Sequence, residues 1–379
     1  MTDVGVIPED WEVKSIGEVL SICNGMDYKH LNRGNYPVYG TGGLIARVDD
    51  YLFEGESVCI GRKGTIDTPI YLNEKFWTVD TLFYSINFVG VIPKFIYYIF
   101  NTIDWLSLNE ASGVPSLSKD NIKLQLIQIP NLSEQQAIAD ALTKVDNLIM
   151  SLSKVIEKKK LIKKGTMQKL LSGEVRLDGY NNIIKSVNLS DIGEIKAGGT
   201  PSTNVPSYWG GTINWLQSGA VKNRVLDIRD VEKTITYDGL ANSSAYLIKE
   251  NSVLIAITGA TCGNIAYLPF KSAANQSVVA IQVNFGFNSK YIFYMLIQNS
   301  DKIVNNRGGS AQGGVAVNIL KEIELCIHED IDEQTAIADI LTTMDNEIEA
   351  LEKERDKYKC IKQGMMQQLL TGKIRLICQ

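Results

Sequence analysis

The chain has 379 residues, 45% of them hydrophobic, and a formal net charge of −5. This length is too great for one ordinary core and predicts two domains with connecting segments. No apolar run approaches the roughly 18–20 residues that cross a bilayer, and the acidic start lacks the pattern of a signal peptide. The six cysteines contain no CxxC pair, which indicates reduced thiols rather than a disulfide or zinc framework. We therefore expect a soluble protein of the cytoplasm.

Residues 1–132 predict a first globular domain built from short β-strands. Three runs of β-forming residues alternate with turn residues: YPVYGTGG (36–43), SVCIG (57–61) and WTVDTLFYSI (77–86). The loop RKGT (62–65) joins two of these runs. Glycine lets a loop backbone approach a ligand closely, and arginine can bind guanine edges or phosphates, although a solvated hairpin turn explains the same loop equally well. The candidate nucleic-acid contacts of this domain are Arg33, Arg47, Arg62, Lys63 and Thr65.

Residues 133–177 predict a long helix. Pro130 discourages continuation of the preceding segment, and Ser133 with Gln136 three residues later has the spacing of a capping box. The 38 residues from Glu134 to Leu171, just before Gly173, correspond to roughly 57 Å of straight helix. Apolar residues recur in alternating steps of four and three, the heptad pattern of a coiled-coil seam: Ile138, Leu142, Val145, Ile149 and Leu152, continuing to Ile156.

Residues 178–331 predict a second globular domain on the plan of the first. The tripeptide Ile-Gly-Glu occurs at 16–18 and 192–194, residues 55–65 align with 250–260, and residues 95–98 align with 291–294. About 19 additional residues enter the first half of the second domain. Its glycine-threonine loops carry amide and cationic side chains, which can pair with adenine and guanine respectively, although a turn-rich β fold needs such loops in any case. The candidates here are Tyr208, Lys222, Arg224, Thr261, Asn275, Gln276 and Arg307.

Residues 332–379 contain a second copy of the long helix. Residues 133–177 align with 332–376 without a gap, and 25 of the 45 positions are identical. A heptad stripe can serve ordinary core packing, but two near copies, each after a globular segment, favour an antiparallel coiled coil. We predict an α+β fold: two β-rich domains separated by two long antiparallel coiled-coil helices, with a pseudo-twofold internal repeat. The second seam is Ile337, Leu341, Met344, Ile348 and Leu351.

The pseudo-twofold arrangement suits a protein that reads two separated half-sites of duplex DNA. The charge distribution constrains this interpretation: residues 1–132 carry −6, residues 133–177 carry +4, residues 178–331 carry −1 and residues 332–379 carry −2. A chain that binds nucleic acid strongly by itself is usually basic. An interpretation as a DNA reader must account for this acidity.

Sequence motifs for catalysis are missing. The two histidines, His30 and His328, fall in different domains without metal-ligand spacing, and neither a GxxxxGK[ST] phosphate loop nor an Asn-Pro-Pro-aromatic methyltransferase motif occurs. In PEDWEVK (8–14), Asp10 and Glu12 lie only two positions apart, whereas nuclease carboxylates normally come from separate strands. Two alternatives to a DNA reader stay open: a self-sufficient DNA enzyme, and a coiled-coil scaffold that does not bind nucleic acid.

The doubled helical region resembles the conserved regions of specificity (S) subunits of Type I restriction-modification systems. The resemblance is carried by Ile129-Pro130, Ser133-Glu134-Gln135 and KKGTMQKLLSGEVRL (163–177), and again by DEQTAIAD and KQGMMQQLLTGKIRL within 332–376. Residues 60–84 and the motifs GGTPSTNVPSYWGG, TGATCGN and NQ resemble two different types of target-recognition domain. The chain departs from the family in the acidity of its first domain and in Cys326-Ile327-His328, which replace a proline-rich lead-in to the second helix.

The resemblance implies four parts: target-recognition domain 1 (1–132), a conserved helix (133–177), target-recognition domain 2 (178–331) and a second conserved helix (332–379). It implies a subunit without a catalytic centre that binds a bipartite double-stranded DNA site, one half per recognition domain. The paired helices then act as a ruler and dock two methyltransferase (M) subunits, while restriction (R) subunits join for cleavage. S-adenosylmethionine, ATP and magnesium belong to those partners, and the M subunits supply much of the phosphate-binding charge.

Overall fold

The structure is a computed structural model that describes residues 8–180, 183–305 and 314–376. The chain forms two compact units. Unit 1 contains Met1–Lys154 together with Glu352–Gln379, and unit 2 contains Val155–Leu351. Each unit therefore takes the first part of one long helix and the last part of the other, whereas the sequence-based division assigns each helix to a part of its own.

Unit 1 combines a six-stranded sheet with short helices. The sheet order is β2-β7-β5-β6-β3-β4, with β3 and β6 parallel, and β1 and β8 form a separate antiparallel pair. The elements are β1 (Glu12–Ser15), α1 (Ile16–Val19), β2 (Ser21–Asn24), β3 (Arg33–Gly40), β4 (Gly43–Val48), β5 (Phe53–Gly61), β6 (Ile70–Thr78), β7 (Leu82–Ile86), α2 (Pro93–Phe100), α3 (Lys119–Leu124), β8 (Leu126–Ile129) and α4 (Leu132–Ser172), which continues into unit 2.

The predicted run 77–86 is two strands rather than one. β6 ends at Thr78 and β7 begins at Leu82, and the N–H of Leu82 donates to the carbonyl of Val79 at 2.9 Å. This bond closes a β-turn with Asp80 and Thr81 at its centre. Aspartate favours turns because its side chain can bond nearby backbone groups, so Asp80 within an otherwise apolar run is the sequence signal for the break.

The core of unit 1 joins the six-stranded sheet to the helices. Phe95 and Ile96 of α2 are fully buried in one apolar cluster with Ile138 and Leu142 of α4. Leu369, the last residue of the second long helix, belongs to the same cluster. The first heptad positions of α4 therefore pack against the globular part of the unit as well as against the other long helix.

Unit 2 repeats this plan with additional elements. Its sheets have the orders β10-β17-β14-β15-β12, β13-β11-β16 and β18-β9. The elements are β9 (Ile184–Asn188), α5 (Leu189–Ile192), β10 (Gly193–Ala197), β11 (Trp209–Leu216), β12 (Arg224–Val225), β13 (Lys233–Ile235), α6 (Tyr237–Ala241), β14 (Ser252–Ala256), β15 (Ile265–Leu268), β16 (Ala273–Ala274), β17 (Val278–Val283), α7 (Ser289–Gln298), α8 (Ser300–Asn305), α9 (Val317–Lys321), β18 (Glu324–His328) and α10 (Ile331–Leu369), which continues into unit 1.

The repeated tripeptide Ile-Gly-Glu is not a structural match. In unit 1 the N–H of Ile16 donates to Gln125 O at 2.9 Å, and in unit 2 the equivalent bond runs from Leu189 N–H to Ile323 O at 2.9 Å. The tripeptide at 16–18 lies inside α1, whereas the tripeptide at 192–194 ends α5 and begins β10. The sequence alignment at this point is therefore wrong by three residues. A short identity carries less information than the hydrogen bonds that place each helical turn.

The long helices begin earlier than predicted. α4 starts at Leu132 and is capped by Asn131, whose side chain accepts the N–H of Glu134 at 2.9 Å, so Ser133 is not the cap. α10 starts at Ile331 in the same way, and Asp330 accepts the N–H of Asp332 at 2.8 Å. Gly173 and Gly372 have a left-handed backbone and follow the ends of the two helices, as expected for glycine at a helix C-terminus. Despite their length, the helices of the described residues lack a segment apolar enough to span a membrane.

Within each unit the two helix segments run antiparallel. In unit 1, Glu134 and Asp146 of the first helix bond Arg375 and Lys362 respectively, so one partner number rises as the other falls. In unit 2, Glu333 and Asp345 likewise bond Arg176 and Lys163. The seam residues divide by burial: Ile138, Leu142, Ile337, Leu341 and Ile348 are buried, while Val145, Ile149, Leu152, Met344 and Leu351 are half-buried.

Candidate nucleic-acid interface

The loop after β5 is fastened to two neighbouring segments of unit 1. The N–H of Arg62 donates to Thr81 O at 2.8 Å, and Arg62 O accepts the N–H of Leu117 at 2.9 Å. Lys63 forms an isolated antiparallel β-bridge with Ser116 through its main chain. These bonds hold the main chain while the side chains of Arg62 and Lys63 stay exposed, so the loop offers two cations on a rigid support.

These two cations line a cleft of about 690 Å³ in unit 1. Lys119 lies on the same cleft, with its Nζ 5.9 Å from the ring centre of Phe83. Glu110, which also lines the cleft, accepts hydrogen bonds from the side chains of Ser118 and Asn121, which fastens the loop 109–118. The residues lining the cleft are Asn24, Arg62, Lys63, Asp80, Thr81, Phe83, Glu110, Ala111, Val114, Ser116, Leu117, Ser118 and Lys119.

Arg33 and Arg47 are not brought to this cleft. They lie on β3 and β4, at the far end of the strand order from β2 and β7. Arg47 donates to the carbonyl of Asn35 at 2.7 Å. It also lies beside Tyr39, whose pKa is raised to about 12 by burial and by its hydrogen bond to Glu74, and the positive charge of Arg47 opposes that rise. Thr65 is exposed beside the cleft loop but does not line the cleft.

Unit 2 has an equivalent set of loops at the corresponding edge of its sheet, with different side chains. We call this edge, in either unit, the loop edge. The N–H of Ile257 donates to Ser277 O at 2.9 Å, and Ile257 O accepts the N–H of Val315 at 2.9 Å. This is the bonding pattern of Arg62, so Ile257 occupies the structural position that Arg62 has in unit 1. The exposed side chain of Arg62 in unit 1 thus corresponds to a buried isoleucine in unit 2, which makes the two edges chemically distinct.

A pair of equivalent turns lies at these edges. The N–H of Val278 donates to Asn275 O at 3.1 Å, which closes a turn like that of residues 79–82. Gly198 supports this turn so closely that an added Cβ would lie 2.2 Å from the carbonyl oxygen of Ala274, and Gly25 has the same relationship to residues 78–79. Asp80 and Gln276 are the exposed residues at matching positions. Sequence reasoning found Gln276 but missed Asp80 and Lys119, because residue spacing alone does not show which turns share an edge.

The other candidates of unit 2 separate into two groups. Lys222 is exposed beside Asn223, whose side chain accepts the N–H of Ile265 at 2.7 Å, close in sequence to Thr261. The side-chain oxygen Oδ1 of Asn275 accepts the N–H of Ser277 at 3.1 Å within the turn. Gln276 accepts a hydrogen bond from Thr200 of the glycine loop. These residues lie on the loop edge.

Arg224 and Tyr208 have partners of their own within unit 2. Arg224 forms an ion pair with Asp230, which balances its charge. Tyr208 is half-buried and its carbonyl accepts the N–H of Thr236 at 2.9 Å, beside the three-stranded sheet. Arg307 lies outside the described residues.

Comparisons with known proteins point to one family. The family model described as "Type I restriction modification DNA specificity domain" matches residues 8–163 and 183–357. The chain is 27% identical to the Type I restriction enzyme MjaVIII specificity subunit of Methanocaldococcus jannaschii, with 98% of this chain and 94% of the relative covered. It is 25% identical to the Type I restriction enzyme EcoR124I/EcoR124II specificity subunit of Escherichia coli, with 70% and 69% covered.

A solved structure shares the fold. The S subunit of a Type I restriction-modification system from M. genitalium superposes with a TM-score of 0.69 at 16% identity, over 98% of this chain and 99% of that chain. The repeated α+β plan is thus common to both molecules.

Proposed function

Because the chain belongs to the specificity-subunit family of Type I restriction-modification systems, we propose that it reads a bipartite double-stranded DNA site, with one half-site bound by each unit. The observation that carries this proposal is the pair of equivalent loop edges. Matching main-chain bonds place Arg62, exposed in unit 1, at the same structural position as Ile257, buried in unit 2, and the matching turns expose Asp80 and Gln276. One scaffold with two different sets of side chains is what an asymmetric bipartite site requires.

The acidity of the chain fits a reader that does not act alone. Residues 1–132 carry a net charge of −6, whereas affinity for DNA depends mainly on neutralising phosphates. Two methyltransferase subunits, docked on the two antiparallel helix segments, would supply that positive charge. The repetition of the Glu134–Arg375 pair as Glu333–Arg176 supports two similar docking places.

The chain itself acts as a non-catalytic subunit in this proposal. The methyltransferase subunits bring S-adenosylmethionine, and restriction subunits with ATP and magnesium join for cleavage. The alternative is a coiled-coil scaffold that does not bind nucleic acid. The cleft of unit 1 favours the DNA reader, because Arg62, Lys63 and Lys119 line it on a braced main chain.

The test is reconstitution with the cognate methyltransferase subunit, followed by mapping of modified adenines in genomic DNA. The expected motif has two short specific parts separated by an unread spacer, and the complex binds it far more tightly than the isolated chain does. An uninterrupted motif, or methyl transfer by the isolated chain with S-adenosylmethionine, would refute the proposal. A reconstituted complex that binds every DNA sequence equally would favour the scaffold.

A further inference from the structure

The short helix α2 of unit 1 is attached to the long helix α4 at its N-terminus through Gln135. The side-chain oxygen of Gln135 accepts the N–H of Ile92 at 2.8 Å, and its amide nitrogen donates to the carbonyls of Gly90 and Pro130 at 3.1 and 2.9 Å. Gln135 is fully buried. A buried amide whose donors and acceptor are all used holds its partners in one geometry, so this contact is a first fixed point.

A second attachment lies near the other end of α2. The hydroxyl of Tyr98 donates to the carboxylate of Asp146 at 2.8 Å, and Thr143 lies 3.1 Å from the same hydroxyl. Lys362, from α10, binds the same carboxylate at 2.6 Å. Burial raises the pKa of Tyr98, which keeps its proton available for donation. Asp146 therefore links α2 to both long helices at once.

Unit 2 contains the same two attachments. Gln334 accepts the N–H of Asn288 at 2.9 Å and donates to the carbonyl of His328 at 2.8 Å. Tyr294 donates to Asp345 at 2.8 Å, and Lys163 from α4 binds the same carboxylate. The arrangement occurs twice although the loop edges of the two units differ, which separates it from sequence readout.

Two fixed points determine an orientation where one does not. Gln135 and Asp146 are eleven positions apart, about 16 Å along a helix. Between them, apolar side chains such as Phe95 and Ile138 pack together, and apolar contacts are non-directional. Packing alone resists separation of α2 from α4 but permits α2 to roll on the surface of α4. The hydrogen bonds to a charged carboxylate add the directional constraint.

We propose that the tyrosine–aspartate–lysine sets (Tyr98, Asp146 and Lys362 in unit 1; Tyr294, Asp345 and Lys163 in unit 2) are positioning residues that select the spacing between the two DNA half-sites. They orient each recognition domain on its own helix segments and contact no base. This inference rests on the proposed function, because a spacing between half-sites exists only if the chain reads a bipartite DNA site.

The test is the double variant Tyr98→Phe, Tyr294→Phe in complex with the methyltransferase subunit. The substitutions remove two hydroxyl groups and keep the rings and the glutamine attachments. Affinity is measured for duplexes that carry both half-sites at the natural spacing or with one base pair added or removed. We expect affinity at the natural spacing to change less than about threefold, and the preference for that spacing to fall by about tenfold.

The matched control is Tyr267→Phe. Its hydroxyl donates to Asn251 at 2.8 Å within the recognition part of unit 2, so it loses an equally short bond that does not reach the long helices. The control must keep the wild-type preference for spacing. An unchanged preference in the double variant, or an equal loss in the control, overturns the inference. A wild-type complex that shows no preference for spacing refutes the bipartite proposal itself, so the two failures are distinguishable.

Discussion

Arg375 donates to both carboxylate oxygens of Glu134, each at 2.7 Å, and the carboxylate is almost completely buried. Trp11 and the N–H of Leu376 donate to the same group at 3.2 Å. The segment that follows α10 is thus closed onto the beginning of α4. The same relationship holds in unit 2, where Arg176 donates to Glu333 at 2.8 and 2.6 Å.

Removing the arginine should destabilise unit 1 strongly. Arg375→Met leaves the buried carboxylate of Glu134 without its main counter-charge, and stranding such a group typically costs about 3 kcal/mol. Chemical denaturation of the variant should give a markedly lower midpoint. Lys373→Met is the control, because it removes an exposed cation two residues away. Equal midpoints for the two variants would contradict the prediction.

The Glu134–Arg375 pair should also make the stability of the fold depend on pH in the acidic range. The Arg375 guanidinium, helped by Trp11, lowers the pKa of Glu134 below its ordinary value of 4.5. A carboxyl with a depressed folded-state pKa stabilises the fold above pH 4.5, and this contribution is lost as the pH falls through the folded-state pKa. In Glu134→Gln the decline of the thermal midpoint below pH 4.5 should be shallower than in the wild type. Glu9→Gln, an exposed change in the same unit, should leave the slope unaltered.

His328 should make unit 2 sensitive to a different pH range. It is fully buried, with its Nδ1 2.7 Å from the hydroxyl of Tyr291, and desolvation lowers its pKa below 6.5 although Glu333 opposes the shift. Arg176, nearby, lowers it further. The unfolded chain therefore binds a proton first, so stability is full above pH 6.5 and decreases as the pH falls towards the folded-state pKa.

The check is a comparison of His328→Gln with His30→Gln, which changes an exposed histidine. Thermal midpoints are measured between pH 7.5 and about 5, the window that follows from the lowered pKa. The His328 variant should lose part of the slope of the wild type, and the His30 variant should retain it. A wild-type slope in both variants would show that burial of His328 does not couple folding to protonation.

Arg62→Ala should affect one half-site only. If Arg62 forms a bidentate contact with a guanine, its loss should cost on the order of 1–3 kcal/mol and relax recognition in that half. If it contacts only phosphate, binding should weaken evenly and the salt dependence should fall by about one charge. Affinities of the methyltransferase complex for duplexes mutated singly in each half distinguish these results. Lys14→Ala, which removes a cation paired with Glu12 on β1, is the control. Loss of discrimination in both halves together would refute independent reading.

Two glycines within the long helices should be replaceable with a gain in stability. Alanine at Gly165 or Gly364 places a Cβ that meets no described atom within 4 Å. Alanine is favoured over glycine in a helix by about 1 kcal/mol, so each variant should unfold at a higher temperature. Gly198→Ala is the contrast, since its Cβ would collide with the main chain of Ala274, and it should lower the midpoint. A loss of stability in both helix variants would contradict this account.

The sequence by itself determined the long-range plan. A heptad repeat is a local property of 3.6 residues per turn, so the two helices and their doubled copy can be recognised without coordinates. The helix ends also follow local chemistry, because Gly173 and Gly372 adopt left-handed backbone that other residues avoid. The predicted N-cap of the first long helix, Ser133, is wrong by two residues, because Asn131 also suits this role and only the hydrogen bond to Glu134 distinguishes them.

Only the tertiary structure decided which residues of the two copies meet. Each copy contains its own glutamate and arginine, so sequence alone would pair Glu134 with Arg176 of the same copy. A helix of 41 residues separates those two by about 60 Å at 1.5 Å per residue, so neither can reach the other. The antiparallel partner brings Arg375 to Glu134 instead. The loop edges follow the same rule: exposed Arg62 and buried Ile257 are equivalent through main-chain hydrogen bonds between distant segments, which residue spacing does not encode.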